Sequence, residues 1–220
     1  MPEGVIFDID GTLVDSVDLH TEAWREAFRH FGFDFPFARV WEQIGKGSDQ
    51  SIPALLPPDV VKDKGKQIDE YRGRIFKRDY LPRVRPFPKV RELFERIRDD
   101  GKRIALASSA KEDELKAYIS LTDVGDLIET ATASGDAAKS KPHPDILQAA
   151  LDRLGGMNPS AVVAVGDTPY DAEAAGKLGM RTVGVLGGGW LAERLREAGC
   201  VAVYGGPADL LRRYDSSPLK

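Results

Sequence analysis

The sequence predicts an α/β protein with a doubly wound, mostly parallel sheet into which a small helical domain is inserted. Three observations support this prediction. The first apolar run, Gly4 to Ile9, is nearly continuous, as is typical of a strand covered on both faces. After residue 84, apolar runs of strand length alternate with segments of helical period. Between these two regions, residues 15–83 contain no convincing strand.

The inserted segment begins where the period of the apolar residues changes. From Ser16 onward the spacing is helical, Asp15 or Ser16 can cap the helix, and Gly32 can end it. Later apolar positions suggest short helices, two of which are separated by the Pro-Pro pair at 57–58. We therefore assign residues 15–83 to a helical cap.

The remaining residues, 1–14 and 84–220, form the predicted Rossmann-like core. Pro88 opens a helix that ends before Gly101. The elements that follow are a strand at 103–108, a helix at 115–121, a weak strand at 127–132, a helix at 144–154, a strand at 161–166, a helix at 170–178, a strand at 181–186, a helix at 190–198, a strand at 200–204 and a helix at 208–214. Only the final SSPLK has the composition of a loose tail.

Composition excludes several classes of protein. Apolar residues make up 42% of the 220 residues, yet no run approaches the roughly 18 apolar residues that span a bilayer. The net charge of −4, with acidic and basic residues interspersed, argues against a nucleic-acid partner. No secretory signal is visible before the first strand, so we expect a cytoplasmic location. The lone cysteine, Cys200, is expected to be a buried structural thiol.

Polar residues follow several predicted strands, and ligands of open parallel sheets bind at that edge. These residues are Asp8, Asp10 and Thr12 after the first strand, Ser108 and Ser109 after the second, Asp167 after AVVAVG, and Lys141 in the loop before a helix. Alternation places Asp8 and Asp10 on one side of an extended backbone. Close carboxylates repel unless a cation lies between them. With Asp167 as a third carboxylate and no His or Cys nearby, the pattern favours Mg²⁺ over zinc.

Such a group of residues has the parts needed for phosphoryl transfer. One aspartate can attack phosphorus as a nucleophile while the other manages the proton of the leaving oxygen. The remaining phosphoryl oxygens need hydrogen-bond donors and positive charge. We assign that phosphate-binding role to Thr12, Ser108, Ser109 and Lys141.

Four segments resemble a known family. FDIDGTLVDS, LASSA, KSKPHPD and VGDTPYDAEAA are similar, in order and approximate spacing, to the four motifs of the haloacid dehalogenase-like hydrolase superfamily. The resemblance spans residues 4 to 190 and is to the branch with a helical cap between the first two motifs, which contains phosphoglycolate phosphatases and β-phosphoglucomutase. It implies a Mg²⁺-dependent phosphatase that acts on a small phosphorylated metabolite through an aspartyl phosphate, as a monomer or small homo-oligomer.

The resemblance also implies a role for each matched residue. Asp8 would be the nucleophile, and Asp10 would be the general acid and then the base. Ser108 would bind the phosphoryl group, and Lys141 would pair with that group and with Asp8. Metal ligands would come from Asp8, the backbone carbonyl of Asp10, and Asp167. Asp171 would support the metal or the lysine, and Lys46, in the cap loop IGKGSDQ, is a candidate contact for the leaving group.

Several alternative functions are weighed against this one. A sugar-phosphate mutase remains the main alternative, although Asp49 stands near the place where that mutase has an arginine. Dehalogenases resemble this fold but lack an acidic residue equivalent to Asp10. A signalling receiver domain also has an acidic Mg²⁺ pocket, but its phosphorylated aspartate follows the third strand and it has no inserted cap.

Individual residues also have ordinary structural interpretations. Ser108 and Ser109 can cap the next helix, Asp171 can be a favourable charge in a first helical turn, and Lys46 can be solvated. Lys139 is assigned to the surface. His20 and Trp24 lie one turn apart on a helical face, and we assign both to packing instead of catalysis.

Overall fold

The computed structural model describes residues 1–220 and contains eight strands. They are β1 (Gly4–Phe7), β2 (Val14–Asp15), β3 (Arg85–Pro86), β4 (Arg103–Ala107), β5 (Thr130–Thr132), β6 (Val162–Gly166), β7 (Arg181–Val185) and β8 (Cys200–Tyr204). Six of them form one parallel sheet in the order β5-β4-β1-β6-β7-β8, while β2 and β3 pair separately and antiparallel. The predicted α/β class with a parallel sheet is confirmed.

Ten α-helices accompany the strands. They are α1 (Val17–His30), α2 (Phe37–Trp41), α3 (Ser48–Leu55), α4 (Pro58–Ile75), α5 (Val90–Asp99), α6 (Glu112–Thr122), α7 (Asp145–Arg153), α8 (Pro169–Lys177), α9 (Ala192–Glu197) and α10 (Pro207–Arg212). Short helical turns cover Phe76–Tyr80, Leu81–Arg83, Ser134–Asp136, Pro159–Ala161, Leu186–Gly188 and Tyr214–Ser216. None of the helices combines the length and the apolar character that crossing a membrane requires.

Alternation along β1 divides the core between the two faces of the sheet. Val5 and Phe7 join the larger apolar cluster, and Phe7 stacks on Phe94 of α5 with ring centroids 4.7 Å apart. Ile6 points to the other face and joins a second cluster with α7 and α8. Both faces are therefore covered, which explains the continuous apolar run. Cys200 is buried on β8, as predicted.

Residues 17–83 contain helices, turns and short loops but no strand, and the β2–β3 pair joins this segment to the sheet. The expectation of short helices is wrong for its second half, because α4 runs for 18 residues and continues into a π-helical turn at Phe76–Tyr80. Pro58 stands in the first turn of α4, where proline is tolerated, and no later residue breaks the helix. Ile68 and Ile75, one heptad apart, are buried in the larger cluster.

The predicted loose tail is wrong. Leu219 is completely buried in the larger cluster. The Ser217 hydroxyl donates to the carbonyl of Tyr214 at 2.7 Å and accepts from the Leu219 N–H at 3.2 Å. The Lys220 ammonium lies 3.0 Å from a carboxylate oxygen of Asp100. Burial of one apolar side chain in the core is therefore enough to order a segment whose composition is typical of a loop.

We expect Leu219→Ala to lower the free energy of unfolding by about 2–4 kcal/mol, because it removes a fully buried side chain and leaves a cavity. Urea unfolding monitored by circular dichroism measures this change. Leu191→Ala is the matched control, since Leu191 is 68% exposed and its truncation leaves no cavity. Equal stabilities of the two variants would show that the tail is not anchored.

Candidate active site

Pairing of β1 with β6 brings two distant aspartates together. Phe7 is in register with Val165, and the Asp8 N–H donates to the Val165 carbonyl at 2.9 Å. Asp8 and Asp167 therefore leave adjacent strands at the same edge of the sheet. Oxygen atoms of Asp8, Asp167 and Asp171 all lie within 4.8 Å of one another. The carboxylates that the sequence placed at strand ends thus converge.

Two glycines make room for the Asp167 carboxylate. At Gly11, where φ is +76°, an added Cβ would lie 2.3 Å from Asp167 Oδ2. At Gly188 the corresponding distance is 1.8 Å. No other residue fits either position unless the carboxylate moves, so the glycine-rich stretch at 187–189 is a packing requirement of the acidic cluster. A run of three glycines by itself predicts only a flexible turn.

Lys141 lies beneath the carboxylates with only 1% of its surface exposed. Its ammonium donates to Asp8 Oδ1, lies 2.7 Å from Asp171 Oδ1, and donates to the Ala107 carbonyl at 3.3 Å. Burial opposes its charge, but the two carboxylates outweigh burial, and the net effect raises the pKa of Lys141. Lys139, by contrast, is exposed.

One ammonium does not neutralise the three carboxylates. Burial raises the pKa of Asp8 to about 7, with further contributions from the charges of Asp171 and Asp10 and an opposing one from Lys141. Burial, followed by the charges of Asp8 and Asp171, raises the pKa of Asp167 well above its usual range. Full ionisation of the cluster would therefore place excess negative charge where water does not screen it.

The acidic cluster fits a hard divalent cation. Asp167 Oδ2 is buried and has no hydrogen-bond partner, which is costly unless another positive group contacts it. Asp8 and Asp167 offer oxygen ligands, and the cluster contains no His or Cys, a donor set that suits Mg²⁺ better than zinc. The Asp10 carboxyl is not part of the cluster, so the predicted contribution of Asp10 to a metal site is limited to its backbone carbonyl.

The Asp10 side chain instead belongs to a polar network at the start of α1. The Ser16 hydroxyl donates to Asp10 Oδ1 at 2.5 Å, and His20 Nε2 lies 2.9 Å from the same oxygen. Burial alone would raise the pKa of Asp10, but the charge and hydrogen bond of His20 and the bond from Ser16 outweigh it and lower the pKa to about 2. Ser16 does not cap the helix with its side chain, because its hydroxyl is used by Asp10.

His20 was assigned to packing, and this assignment is incomplete. Besides Asp10, its Nε2 lies 3.0 Å from the Tyr118 hydroxyl, and its Nδ1 contacts the guanidinium of Arg72. Its ring also stacks on Phe76 with centroids 4.0 Å apart. The sequence signal was a histidine on the buried face of the helix that directly follows the acidic pair, since a buried polar ring needs partners.

Two predicted phosphate ligands use their hydroxyls elsewhere. Thr12 Oγ1 donates to Asp167 Oδ1 at 3.1 Å, so Thr12 supports the acidic cluster instead of facing the cavity. Ser108 Oγ accepts from the Ala110 N–H at 3.0 Å in the loop before α6. This bond is not the helix cap of the alternative interpretation, because the N-cap residue of α6 is Lys111. Ser109 does line the cavity, and its Oγ is buried without a partner. Asp171 is buried in the cluster and bonds to Thr168 as well as Lys141.

A cavity of about 330 Å³ opens over Asp8 and Asp10. Its walls come from the helical segment, including Trp24 and Lys46, and from the core. Lys46 Nζ donates to Gln43 Oε1 at 2.8 Å and lies 4.4 Å from the centre of the Tyr170 ring. The sequence-predicted contact for the leaving group is thus at the cavity, between the insertion and α8.

Comparison with known proteins agrees with this geometry. The family model of haloacid dehalogenase-like hydrolases matches residues 5–185. The chain belongs to this family. As a haloacid dehalogenase-like hydrolase, it is an enzyme, and the cavity over Asp8 is its candidate active site.

Named relatives of this hydrolase extend along most of its length. A phosphorylated carbohydrates phosphatase of Thermotoga maritima is 28% identical over 91% of this chain and 93% of its own. A phosphoglycolate phosphatase of Aquifex aeolicus is 28% identical, covering 84% of each chain. The crystal structure of a hydrolase from Pseudomonas syringae superposes with a TM-score of 0.90 at 26% identity, covering 97% of this chain and 98% of that one.

We expect Mg²⁺ to stabilise the protein by filling the acidic cluster, by about 2.7 kcal/mol at a hundredfold excess over its dissociation constant. Asp167→Asn should reduce this gain and should stabilise the metal-free protein, because it removes a repelled buried charge. Thermal unfolding with added MgCl₂ or EDTA measures both effects. Asp34→Asn, at an exposed site, is the control. Equal Mg²⁺ responses in the two variants would contradict a site at Asp167.

Proposed function

We propose that this hydrolase is a Mg²⁺-dependent phosphatase that releases phosphate from a small phosphorylated metabolite through an aspartyl phosphate on Asp8. The observation that carries the proposal is the position of the Asp8 carboxylate at the cavity, bonded to buried Lys141 and next to the unpartnered oxygen of Asp167. A nucleophile, the Lys141 ammonium and an unpartnered carboxylate oxygen that can ligate a cation thus meet at one point. The relatives named as phosphatases support the same reaction class.

In the first step, an Asp8 oxygen forms a bond to phosphorus and the ester P–O bond breaks. The leaving oxygen takes its proton from Asp10. In the free enzyme Asp10 is ionised, with a pKa of about 2, but a bound phosphoryl dianion raises its proton affinity because like charges disfavour ionisation. His20 holds the Asp10 carboxyl in place.

In the second step, Asp10 takes a proton from a water molecule that attacks the aspartyl phosphate. The Asp8–phosphate bond breaks, and inorganic phosphate leaves. The Lys141 ammonium contacts Asp8 throughout and opposes the charge that returns to this carboxylate. When bound, Mg²⁺ would reduce the repulsion between the Asp8 carboxylate and the phosphoryl dianion.

We assign the insertion, residues 15–83, to a cap that closes the cavity during transfer. Tyr170 of α8 donates through its hydroxyl to the Glu42 carbonyl at 2.5 Å, and Trp41 packs on Trp190 with ring centroids 4.9 Å apart. The Ser140 N–H donates to Asp49 at 3.1 Å. These contacts tie the loops around α2 and α3 to the core and restrict access of bulk water to the reacting phosphorus.

The alternative of a sugar-phosphate mutase is less favoured. One solved relative, a β-phosphoglucomutase from Thermotoga maritima that is itself described as putative, is 27% identical with a TM-score of 0.68. A mutase must hold a second phosphate while the sugar reorients. Asp49, in the cap loop, presents a negative charge to the cavity where such a phosphate would need a cation.

We expect Asp8→Asn to abolish phosphate release, because an amide nitrogen or oxygen does not replace the carboxylate as nucleophile. A colorimetric phosphate assay over a panel of phosphorylated metabolites, with MgCl₂ or EDTA, measures the activity. Removing Mg²⁺ should abolish release by the parent enzyme, whereas Asp18→Asn, at an exposed position of α1, should keep it. If Asp8→Asn hydrolyses as fast as the parent, Asp8 is not the nucleophile.

We expect His20→Phe to lower kcat at least about tenfold. This loss is smaller than the whole contribution of general acid–base catalysis, because Asp10 is still present but is no longer held by His20. The phenyl ring keeps the stacking on Phe76 but loses the bond to Asp10. Because His20 lowers the pKa of Asp10, the apparent pKa assigned to Asp10 should rise in the pH profile.

His30→Phe, at the exposed end of the same helix, is the control for this change. A variant at position 20 with reduced kcat and an unmoved pH profile would assign His20 a purely structural role.

A further inference from the structure

The part of the cavity that faces the substrate's leaving group differs electrostatically from the phosphoryl end. We call it the leaving-group chamber and define it by six charged cavity-lining residues, which are Lys46, Asp49, Asp69, Arg72, Lys111 and Glu114. Three are positive and three negative, so the chamber has no net formal charge. Their pairing decides which leaving groups the chamber accepts.

Two of the cations are already paired with carboxylates. Lys111 Nζ donates to Asp69 Oδ2 at 2.8 Å, joining α4 to the start of α6. Arg72 Nη1 donates to Glu114 Oε1 at 3.3 Å, and Glu114 is completely buried. A buried carboxylate requires its counter-ion, so Arg72 is not free to neutralise a charge on the substrate.

Lys46 and Asp49 have no ionic partner; Lys46 lies in the turn before α3, and Asp49 lies in the first turn of that helix. Lys46 Nζ is held by Gln43 and by the face of the Tyr170 ring. Asp49 Oδ2 accepts from the Ser140 N–H, which fixes the carboxylate between the cap loop and the core.

Burial lowers the pKa of the Lys46 ammonium, and the charges of Glu173 and Glu42 act in the opposite direction, so Lys46 already faces two carboxylates. A second anion on the substrate would also meet the Asp49 carboxylate, which lines the same cavity.

The chamber does offer unused hydrogen-bonding capacity. Arg72 Nε and Ser109 Oγ are buried and have no partner. Asp49 and Asp69 can accept further bonds from hydroxyl groups, since a carboxylate has about four acceptor sites. Trp24, which is 7% exposed, adds an apolar ring wall against which carbon-bound hydrogens can pack. Alternating hydroxyl and C–H groups match this lining.

From these contacts we infer that the preferred substrate is a monophosphate ester of an uncharged polyol or sugar, and that Asp49 and Asp69 disfavour leaving groups that carry a carboxylate or a second phosphate. This inference rests on the proposed phosphatase function. At about 330 Å³ the cavity lies at the lower end of the range for small-molecule sites, which suits a short polyol better than a nucleotide.

The first test compares substrates that differ only in charge. Glycerol phosphate and 3-phosphoglycerate share a three-carbon skeleton. Glycerol phosphate has a hydroxymethyl group at the position where 3-phosphoglycerate has a carboxylate. We expect kcat/KM to be at least about tenfold higher for glycerol phosphate than for 3-phosphoglycerate. Repulsion of this size is expected between the substrate carboxylate and a chamber carboxylate in a partly screened site. Phosphoglycolate and inorganic pyrophosphate should be similarly poor.

The outcomes of this test separate the two proposals. Release of phosphate with equal or higher kcat/KM for 3-phosphoglycerate overturns the inference and leaves the phosphatase proposal standing. Absence of phosphate release from every ester, with Mg²⁺ present, overturns both.

The second test changes the charge of the chamber without changing its shape. Asp69→Asn frees Lys111 from its carboxylate, and Asp49→Asn keeps an oxygen that can accept from Ser140. Each should lower the ratio of kcat/KM for glycerol phosphate over 3-phosphoglycerate by about five- to tenfold. Asp63→Asn, an exposed carboxylate on the same helix as Asp69, should leave the ratio unchanged.

The two substitutions lie on different helices, so misfolding of one variant does not affect the result from the other. Circular dichroism verifies the fold of each variant. Wild-type ratios in both folded variants would overturn the assignment of specificity to Asp49 and Asp69.

Discussion

The burial of excess negative charge is the constraint on which the rest of this structure depends. Asp8, Asp167 and Asp171 are buried close together, and a single ammonium, that of Lys141, lies among them. Buried charges of one sign are strongly unfavourable unless they are paired. Such a cluster of carboxylates therefore needs a cation in addition to the Lys141 ammonium. The glycines at 11 and 188 and the support from Thr12 are consequences of holding Asp167 in that position.

The parallel sheet is what allows the cluster to form. Strands β1 and β6 are neighbours although about 160 residues of sequence separate Asp8 from Asp167, and their carboxyl ends share one edge. The chain passes from the core into the insertion through β2, immediately after this edge, and returns to the core through β3. Its helices therefore lie over the site by connectivity, and the loops that contact Tyr170 and Ser140 complete the cavity wall.

Within the cavity, the two ends have different chemical tasks. The phosphoryl end has unbalanced charge and a carboxylate pair with pKa values moved in opposite directions, about 7 for Asp8 and about 2 for Asp10. Environments that separate the proton affinities of two neighbouring acids are typical of sites that divide nucleophilic and proton-transfer roles. The opposite end contains two ion pairs, the unpaired charges of Lys46 and Asp49, and unpartnered hydrogen-bond donors. In our proposal, charge at that end contributes to selection among leaving groups instead of to bond cleavage.

By itself the sequence determined the alternation of strands and helices, the helical insertion, the strand-end positions of Asp8, Asp10 and Asp167, and the loop position of Lys141, because period and chain order are local properties. Only the tertiary structure decided where hydrogen bonds go. Thr12 bonds to Asp167 and His20 to Asp10, and each choice depends on distances between elements that no local pattern encodes. Likewise, the composition of SSPLK predicts a loose tail, but the tail is ordered because the core has a site for Leu219. Burial of this apolar side chain outweighs the flexibility of its neighbours.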